Sequence, residues 1–133
     1  MTKKILFVCE GNSIRSIMAE AAFNKFCHKK GWKAISAGTR PTNRIDDNTK
    51  QALKEVKIPL KKKAPSLFTF EIAVDAKKII KMDEHIPNFP ALVPEEQLIT
   101  WSIGDVVGRP IDRFRQARDQ IIVNVKELIK RLK

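Results

Sequence analysis

The residue types that could perform chemistry are concentrated in one short stretch, CEGNSIRS, at positions 9–16. Cys9 supplies a thiol, and its thiolate form is a strong nucleophile. Arg15 follows six residues later, and its planar guanidinium can hold two oxygens of a tetrahedral oxyanion at once. Ser16 can donate a hydrogen bond to the sulfur. Together these residue types suit phosphoryl transfer through a cysteinyl-phosphate intermediate.

The segment between Cys9 and Ser16 is also suited to binding the anion itself. It separates a short apolar run, ILFV, from a helical pattern, so its backbone N–H groups can point into one concavity at a helix N-terminus. Gly11 and Asn12 tolerate the positive φ that such a loop needs. The alternative is a buried core cysteine before an ordinary basic helix. The expected phosphate-binding residues are Glu10, Gly11, Asn12, Ser13, Ile14, Arg15 and Ser16.

The elements that must position this stretch are indicated by short apolar runs that alternate with helical periodicity. Strands are predicted at 4–8, 33–37, 77–82 and 98–101. A first helix is predicted from Arg15 until Gly31 closes it, and a last helix from Pro110, at its first helical position, almost to the C-terminus. Two shorter helices are predicted at 46–56 and 68–75.

This order of elements predicts one α/β domain over residues 1–133, with a small four-stranded parallel sheet flanked by helices on both faces. A chain of this length can bury a core of its own. Binding sites in such sheets lie beyond the carboxyl ends of the strands. Cys9 directly follows the first strand, so the candidate site is expected at that edge of the sheet.

The composition restricts the classes of function. A net charge of +11 suggests an anionic partner, such as a phosphorylated protein or a phosphate ester, although a lysine-rich solvated surface would explain it as well. No aromatic residues interleave with the basic runs at 61–63 and 126–133, which argues against a nucleic-acid surface. No apolar run approaches the roughly 18 residues that span a bilayer, and no signal peptide is recognisable. We therefore expect a cytoplasmic protein with no membrane partner.

Metal and disulfide chemistry are not indicated by the sequence. The two cysteines, Cys9 and Cys27, have no tight spacing motif. His28 and His85 have no partner at metal-ligand spacing. The sequence therefore predicts neither a metal site nor a structural disulfide.

Residues 9–16 resemble the Cys-x5-Arg-Ser phosphate loop of the low-molecular-weight protein tyrosine phosphatases and of the arsenate reductases that share their fold. The resemblance continues through MAEA at 18–21, SAGT at 36–39 and KMD at 81–83. It implies a phosphotyrosine phosphatase I-like fold, oxyanions such as phosphate, arsenate and vanadate as ligands, and no cofactor. It makes Cys9 the nucleophile and Arg15 the oxyanion clamp, while Asn12 holds the shape of the loop and Ser16 assists the thiolate.

The same resemblance implies a general acid, an aspartate on a late loop that protonates the leaving oxygen. Asp105 is the best match, and Asp83 and Asp112 are the alternatives. In the family a proline follows this acid, and in the phosphatases one or two tyrosines. Here Val106 and Val107 follow, and the chain contains no tyrosine. A valine wall packs less specifically on an aromatic ring, so the preference for phosphotyrosine stays open.

Arsenate reduction is the second hypothesis, because residues 101–121 resemble the arsenate reductases more than the phosphatases. Thioredoxin-coupled reductases need two further cysteines, the first near 82–83 and the second a few residues later, and the sequence has none there. Cys27 is expected about 18 Å along the first helix, as a core residue. A reductase that uses an external thiol is therefore the alternative enzyme. A non-catalytic module that binds phosphate or nucleic acid is the third hypothesis.

Overall fold

The computed structural model describes residues 2–86 and 94–133. Residues 87–93, within which the second reductase cysteine would be expected, lie outside the described residues. The described residues form four strands and four α-helices, with a short 3₁₀ turn at Glu95–Gln97. The strands are β1 (Lys3–Cys9), β2 (Trp32–Gly38), β3 (Ala76–Lys81) and β4 (Leu98–Thr100). The helices are α1 (Arg15–Phe26), α2 (Asp47–Glu55), α3 (Phe70–Asp75) and α4 (Ile111–Arg131).

The four strands form one parallel sheet in the order β2-β1-β3-β4. The first strand is central, and its residues Ile5, Leu6, Phe7 and Val8 are fully buried, as expected for a strand covered on both faces. Cys9 pairs with Gly38 of β2, and Val8 pairs with Lys81 of β3. The carboxyl ends of these three strands therefore meet at one edge of the sheet, where the candidate loop begins.

The helices cover the sheet in the manner predicted for an α/β chain. Two of them, α1 and α4, pack against each other, and α2 packs against α4. The short α3 packs against β1 and β3. The largest fully buried side chains include Phe7, Phe23 and Phe114, which come from β1, α1 and α4. The four-stranded parallel sheet with its flanking helices is thus confirmed.

One helix boundary differs from its prediction in a way that affects Cys27. The first helix ends at Phe26, and Cys27 is its C-cap residue with extended backbone. Gly31 does not close this helix. It adopts positive φ in the turn before β2, and its carbonyl oxygen accepts a hydrogen bond from the Lys3 N–H at 2.6 Å. The glycine therefore redirects the chain into the sheet, which is the use of positive φ that a side chain would hinder.

A smaller difference concerns the start of α4. Pro110 is the N-cap residue, one position before the first helical residue, Ile111. Within residues 2–86 and 94–133, no helix has the length and apolar character needed to cross a membrane. The same residues contain no group of three or more His, Cys, Asp or Glu side chains placed to hold a metal ion.

Candidate active site

The loop at residues 10–14 joins the end of β1 to the start of α1 and forms the floor of a cavity of about 650 Å³. No side chain caps α1 at Ile14, so the N–H groups of its first turn are left for an anion. The cavity is completed by Asp105, Val107 and residues from the segment between 40 and 48. Of the expected phosphate-binding residues, five line it: Glu10, Gly11, Ser13, Ile14 and Arg15.

The other two, Asn12 and Ser16, are fully buried and contact the sulfur of Cys9. The backbone N–H of Asn12 lies 3.2 Å from Sγ, and the hydroxyl oxygen of Ser16 lies 2.9 Å from it. The side-chain amide of Asn12 donates to the same hydroxyl oxygen at 2.8 Å. Since that amide occupies a lone pair of the oxygen, the hydroxyl hydrogen is free to point at the sulfur. Two donors can thus converge on Sγ, an arrangement that suits a thiolate.

Asn12 has a left-handed backbone, with φ of 48°. Asparagine is one of the few residue types that adopt this conformation at low cost. Its side-chain oxygen accepts a hydrogen bond from the Ser66 backbone N–H at 2.8 Å, which orients the amide nitrogen towards Ser16. The shape of the loop therefore depends on a segment more than fifty residues away in the chain.

Gly38, the glycine of SAGT, gives the loop the space it occupies. A Cβ at this position would lie 2.5 Å from the carbonyl oxygen of Glu10 and 2.8 Å from the backbone nitrogen of Asn12, closer than non-bonded atoms approach. The backbone after Gly38 is bonded to the same loop, because the Arg40 N–H donates to the Glu10 carbonyl at 2.8 Å. Close backbone approach is thus the physical reason for a glycine at this strand end.

Ser13 attaches the other side of the loop to the start of α2. Its hydroxyl donates to the Arg44 carbonyl at 3.1 Å and accepts from the Asp46 N–H at 2.8 Å. The hydroxyl of Thr49 donates to the Ser13 carbonyl at 2.8 Å. One of these bonds is buried and the other two are partly buried, so the loop is held in place before any ligand arrives.

Arg15 is only 4% exposed, and its contacts leave part of the guanidinium available. Both of its described hydrogen bonds use Nη1, which donates to the Asp83 carboxylate and, at 2.8 Å, to the Ile103 carbonyl. The Nε and Nη2 edge of the planar fork can therefore hold an oxyanion. Asp83 follows β3, and its side chain is 15% exposed.

The resemblance makes Asp83 only an alternative general acid, and no sequence pattern indicates its pairing with Arg15. Burial raises the pKa of Asp83, but the hydrogen bonds from Arg15 and from the His85 backbone N–H outweigh it, so the pKa lies below its usual value. An aspartate held ionised by the clamp is poorly suited to donate a proton. Asp83 therefore positions Arg15, since it binds Nη1 on the side of the guanidinium opposite the free Nε and Nη2 edge.

Asp105 lies in the loop between β4 and α4, lines the same cavity as Cys9, and is exposed. One oxygen of its carboxylate accepts the Val107 N–H at 3.1 Å. Of the two valines expected to form a wall, Val107 lines the cavity and is 65% exposed, whereas Val106 is buried. The other alternative acid, Asp112, is paired with Arg115 at 2.7 Å and does not line the cavity.

Cys27 does not line the cavity of Cys9. It is half-buried at the end of α1 and packs against the edge of the core, rather than within it as expected. The helix ends at Phe26, and the backbone of Cys27 is extended.

Comparisons with known proteins identify the family of this chain. Residues 4–133 match the family described as low molecular weight phosphotyrosine protein phosphatase. The chain belongs to this family, whose members are enzymes with a phosphatase-type α/β fold.

Among its relatives is an arsenate reductase of Staphylococcus aureus, 31% identical over 95% of this chain and 96% of that protein. The YwlE arginine phosphatase from Geobacillus stearothermophilus has 26% identity and a TM-score of 0.86, covering 96% of this chain and 91% of that one. A low molecular weight protein tyrosine phosphatase from T. tengcongensis has a TM-score of 0.88, covering 98% of this chain and 100% of that one. Its identity of 24% supports the fold alone.

Proposed function

We propose that this chain hydrolyses phosphomonoesters through a covalent phosphocysteine. The Cys9 thiolate attacks phosphorus, the P–O bond to the leaving group breaks, and Asp105 protonates the departing oxygen. A water molecule, deprotonated by the same carboxylate, then releases inorganic phosphate and regenerates the thiolate. The loop N–H groups and Arg15 hold the three non-bridging oxygens throughout. The observation that carries this proposal is the convergence of the Asn12 N–H and the Ser16 hydroxyl on Sγ, beneath an anion-binding loop.

The proposed substrates are phosphotyrosine in proteins or small aryl phosphates. The cavity of about 650 Å³ has the volume of a small-molecule site, and Val107, which lines it, offers an apolar surface for an aromatic ring. The chain has no tyrosine to form an aromatic wall, so we expect modest discrimination among aryl phosphates. We infer that residues 1–133 act as one domain in the cytoplasm, where a reducing environment would keep Cys9 as a thiol.

Arsenate reduction by an external thiol is the second candidate, favoured by the 31% identity to an arsenate reductase. Arsenate would form a Cys9–arsenic ester on the same loop as one As–O bond breaks and the oxygen leaves as water. A free thiol would then attack the sulfur, so that two electrons pass to arsenic, arsenite leaves, and a mixed disulfide remains on Cys9. A second external thiol would reduce that disulfide. Cys27 takes no part, because it does not line the cavity.

Parallel assays of aryl phosphate hydrolysis and of thiol-dependent arsenate reduction test the proposal, with the wild type and Cys9→Ser compared in each. We expect hydrolysis by the wild type and none by Cys9→Ser, which still binds phosphate or vanadate because the loop amides and Arg15 remain. Cys27→Ala is the matched control and should keep wild-type rates. Turnover by Cys9→Ser above a trace would exclude the covalent mechanism, and arsenate reduction without hydrolysis would favour the second candidate. Anion binding with neither activity would indicate a non-catalytic module.

A further inference from the structure

The basic run at 61–63 is not uniformly solvated. Lys61 and Lys63 are exposed, whereas Lys62 is half-buried and directed into the fold. The Lys62 ammonium donates to the hydroxyl of Ser66 at 2.8 Å and to the backbone carbonyl of Ser36 in β2 at 3.2 Å. It therefore ties the segment that carries Ser66 to the carboxyl-terminal half of β2.

Ser66 is the start of a hydrogen-bond chain that ends at the candidate nucleophile. Its backbone N–H can only donate, and it donates to the side-chain oxygen of Asn12 at 2.8 Å. The amide nitrogen of Asn12 must then donate to Ser16, at 2.8 Å. The Ser16 hydroxyl, which accepts this bond, is left to donate to Cys9 Sγ at 2.9 Å. The direction of every bond is thus set by the position of the Ser66 backbone.

The surroundings of the Lys62 ammonium bring three parts of the fold together. Glu20 of α1 is the charged group that faces it, and the Glu20 carboxylate accepts the hydroxyl of Ser36 at 2.6 Å. Burial lowers the pKa of Lys62, and the nearby carboxylate partly offsets this. A half-buried ammonium keeps its position only where acceptors surround it, as a carbonyl and a hydroxyl do here.

We propose that Lys62 is a positioning residue for Cys9. By adding a side-chain tie between Ser66 and β2 to the backbone bonds at Gly38, it keeps the amide of Asn12 oriented so that the hydroxyl of Ser16 points at the sulfur. The inference rests on the proposed function, in which Cys9 reacts as a thiolate. The Ser66 backbone is also bonded to the end of β2, because the Gly38 N–H donates to the Ser66 carbonyl at 2.9 Å. Loss of the ammonium therefore removes one of two ties, which loosens the Ser66 N–H against Asn12 and weakens the hold of the Ser16 hydroxyl on Sγ.

The test is the rate at which a neutral reagent, iodoacetamide, alkylates Cys9 across a pH series. All variants carry Cys27→Ala, so that only one thiol reacts. Lys62→Met keeps the aliphatic stem and removes the ammonium, while Lys61→Met and Lys63→Met remove an exposed charge from the same run. We expect Lys62→Met to be alkylated about three- to tenfold more slowly at mildly acid pH, because the variant loses about one hydrogen bond to Sγ. Its curve of alkylation rate against pH should be displaced to higher pH. The two controls should follow the parent.

Ser66→Ala provides an independent route to the same readout, because it removes the hydroxyl that the ammonium holds and keeps the backbone N–H. It should slow alkylation to a similar degree. The double variant with Lys62→Met should react only slightly more slowly than either single variant, as expected for residues that act through the same hydrogen bond. The charged groups that line the cavity with Cys9 are identical in every variant, so the displacement cannot arise from them. These groups are the side chains of Glu10, Arg15, Arg40, Arg44, Asp46, Asp47 and Asp105.

A parent-like profile for both Lys62→Met and Ser66→Ala would overturn the inference, as would full additivity in the double variant. Circular dichroism at the assay temperature identifies a variant that fails to fold, in which case the remaining single variant decides. Alkylation needs no turnover. A failure of the proposed hydrolysis would therefore appear in the Cys9→Ser assay, separately from any result for Lys62.

Discussion

Replacing Asp105 by asparagine isolates proton donation from the rest of the site. The carboxylate is exposed in the cavity of Cys9, and the described contact of its side chain is the Val107 N–H at 3.1 Å. An asparagine carbonyl oxygen can accept the same N–H, so the loop should keep its geometry. The substitution removes the proton of the acid form and the negative charge of the carboxylate form. We therefore expect Asp105→Asn to fold as the wild type does and to bind inorganic phosphate at least as tightly.

The loss of rate should depend on the leaving group. A positioned general acid contributes about 10²–10⁴-fold when the departing oxygen is basic, as in phenyl phosphate, and Asp105→Asn should lose that factor. Nitrophenolate leaves without much protonation, so nitrophenyl phosphate should lose far less. The assay is kcat/KM for a series of aryl phosphates whose leaving groups span a range of pKa. We expect kcat/KM to fall more steeply with rising leaving-group pKa in Asp105→Asn than in the wild type.

Asp83→Asn and Asp112→Asn are the matched controls. Asp83 acts on Arg15, which holds the phosphoryl oxygens, so its loss should slow all substrates by a similar factor. Asp112 is paired with Arg115 outside the cavity, so its loss should change little. The assignment of Asp105 is refuted if Asp83→Asn steepens the dependence of kcat/KM on leaving-group pKa while Asp105→Asn matches the wild type. A small uniform loss in both would mean that the loop at Asp105 takes no part in catalysis.

Three further expectations follow from the geometry. Gly38→Ala places a Cβ 2.5 Å from a loop carbonyl oxygen, and should destabilise the fold by about 1–3 kcal/mol in urea unfolding and lower turnover by up to about 10²-fold. Iodoacetate at mildly acid pH should label Cys9 faster than Cys27 in peptide maps, with inorganic phosphate protecting only the former. Because the pKa of Asp83 is lowered in the fold, its carboxylate stabilises the protein above the unfolded-state pKa and loses this effect as pH falls. The wild type should therefore lose stability more steeply in acid than Asp83→Asn, and equal slopes would contradict the ion pair.

The sequence predicted those features that depend on residues close together in the chain. The run ILFV, followed by glycine and asparagine, predicted both β1 and the loop after it. The apolar stripe that continues to Leu132 predicted α4 to within one residue of its start at Ile111. Asp105 was placed by its resemblance to a family motif, and it lines the expected cavity. Each of these follows from periodicity, turn chemistry or a motif within a few residues.

The features that the sequence did not predict join residues far apart in the chain. The pairing of Arg15 with Asp83 spans 68 residues, and the contact of Asn12 with Ser66 spans 54. Which strand end faces which loop is set by the order of strands in the sheet, and no local pattern carries that information. The sequence places Lys62 in an exposed charge run, because burial of a lysine depends on acceptors that only tertiary structure supplies. SAGT could have suggested a close backbone approach, since its glycine ends a strand beside the loop.

The position of Asp83 also bears on the choice between hydrolysis and arsenate reduction. The resemblance to the thioredoxin-coupled reductases places the first of their two further cysteines near this position, where it would attack the arsenic-bound sulfur. Here the residue is an aspartate whose carboxylate holds Nη1 of Arg15, so the position already serves the oxyanion clamp. A thiol would leave that largely buried guanidinium without its counter-charge. Reduction on this scaffold therefore depends on electrons from outside the chain. Hydrolysis needs a nucleophile, a clamp, an acid and water, and the cavity brings candidates for the first three together in Cys9, Arg15 and Asp105.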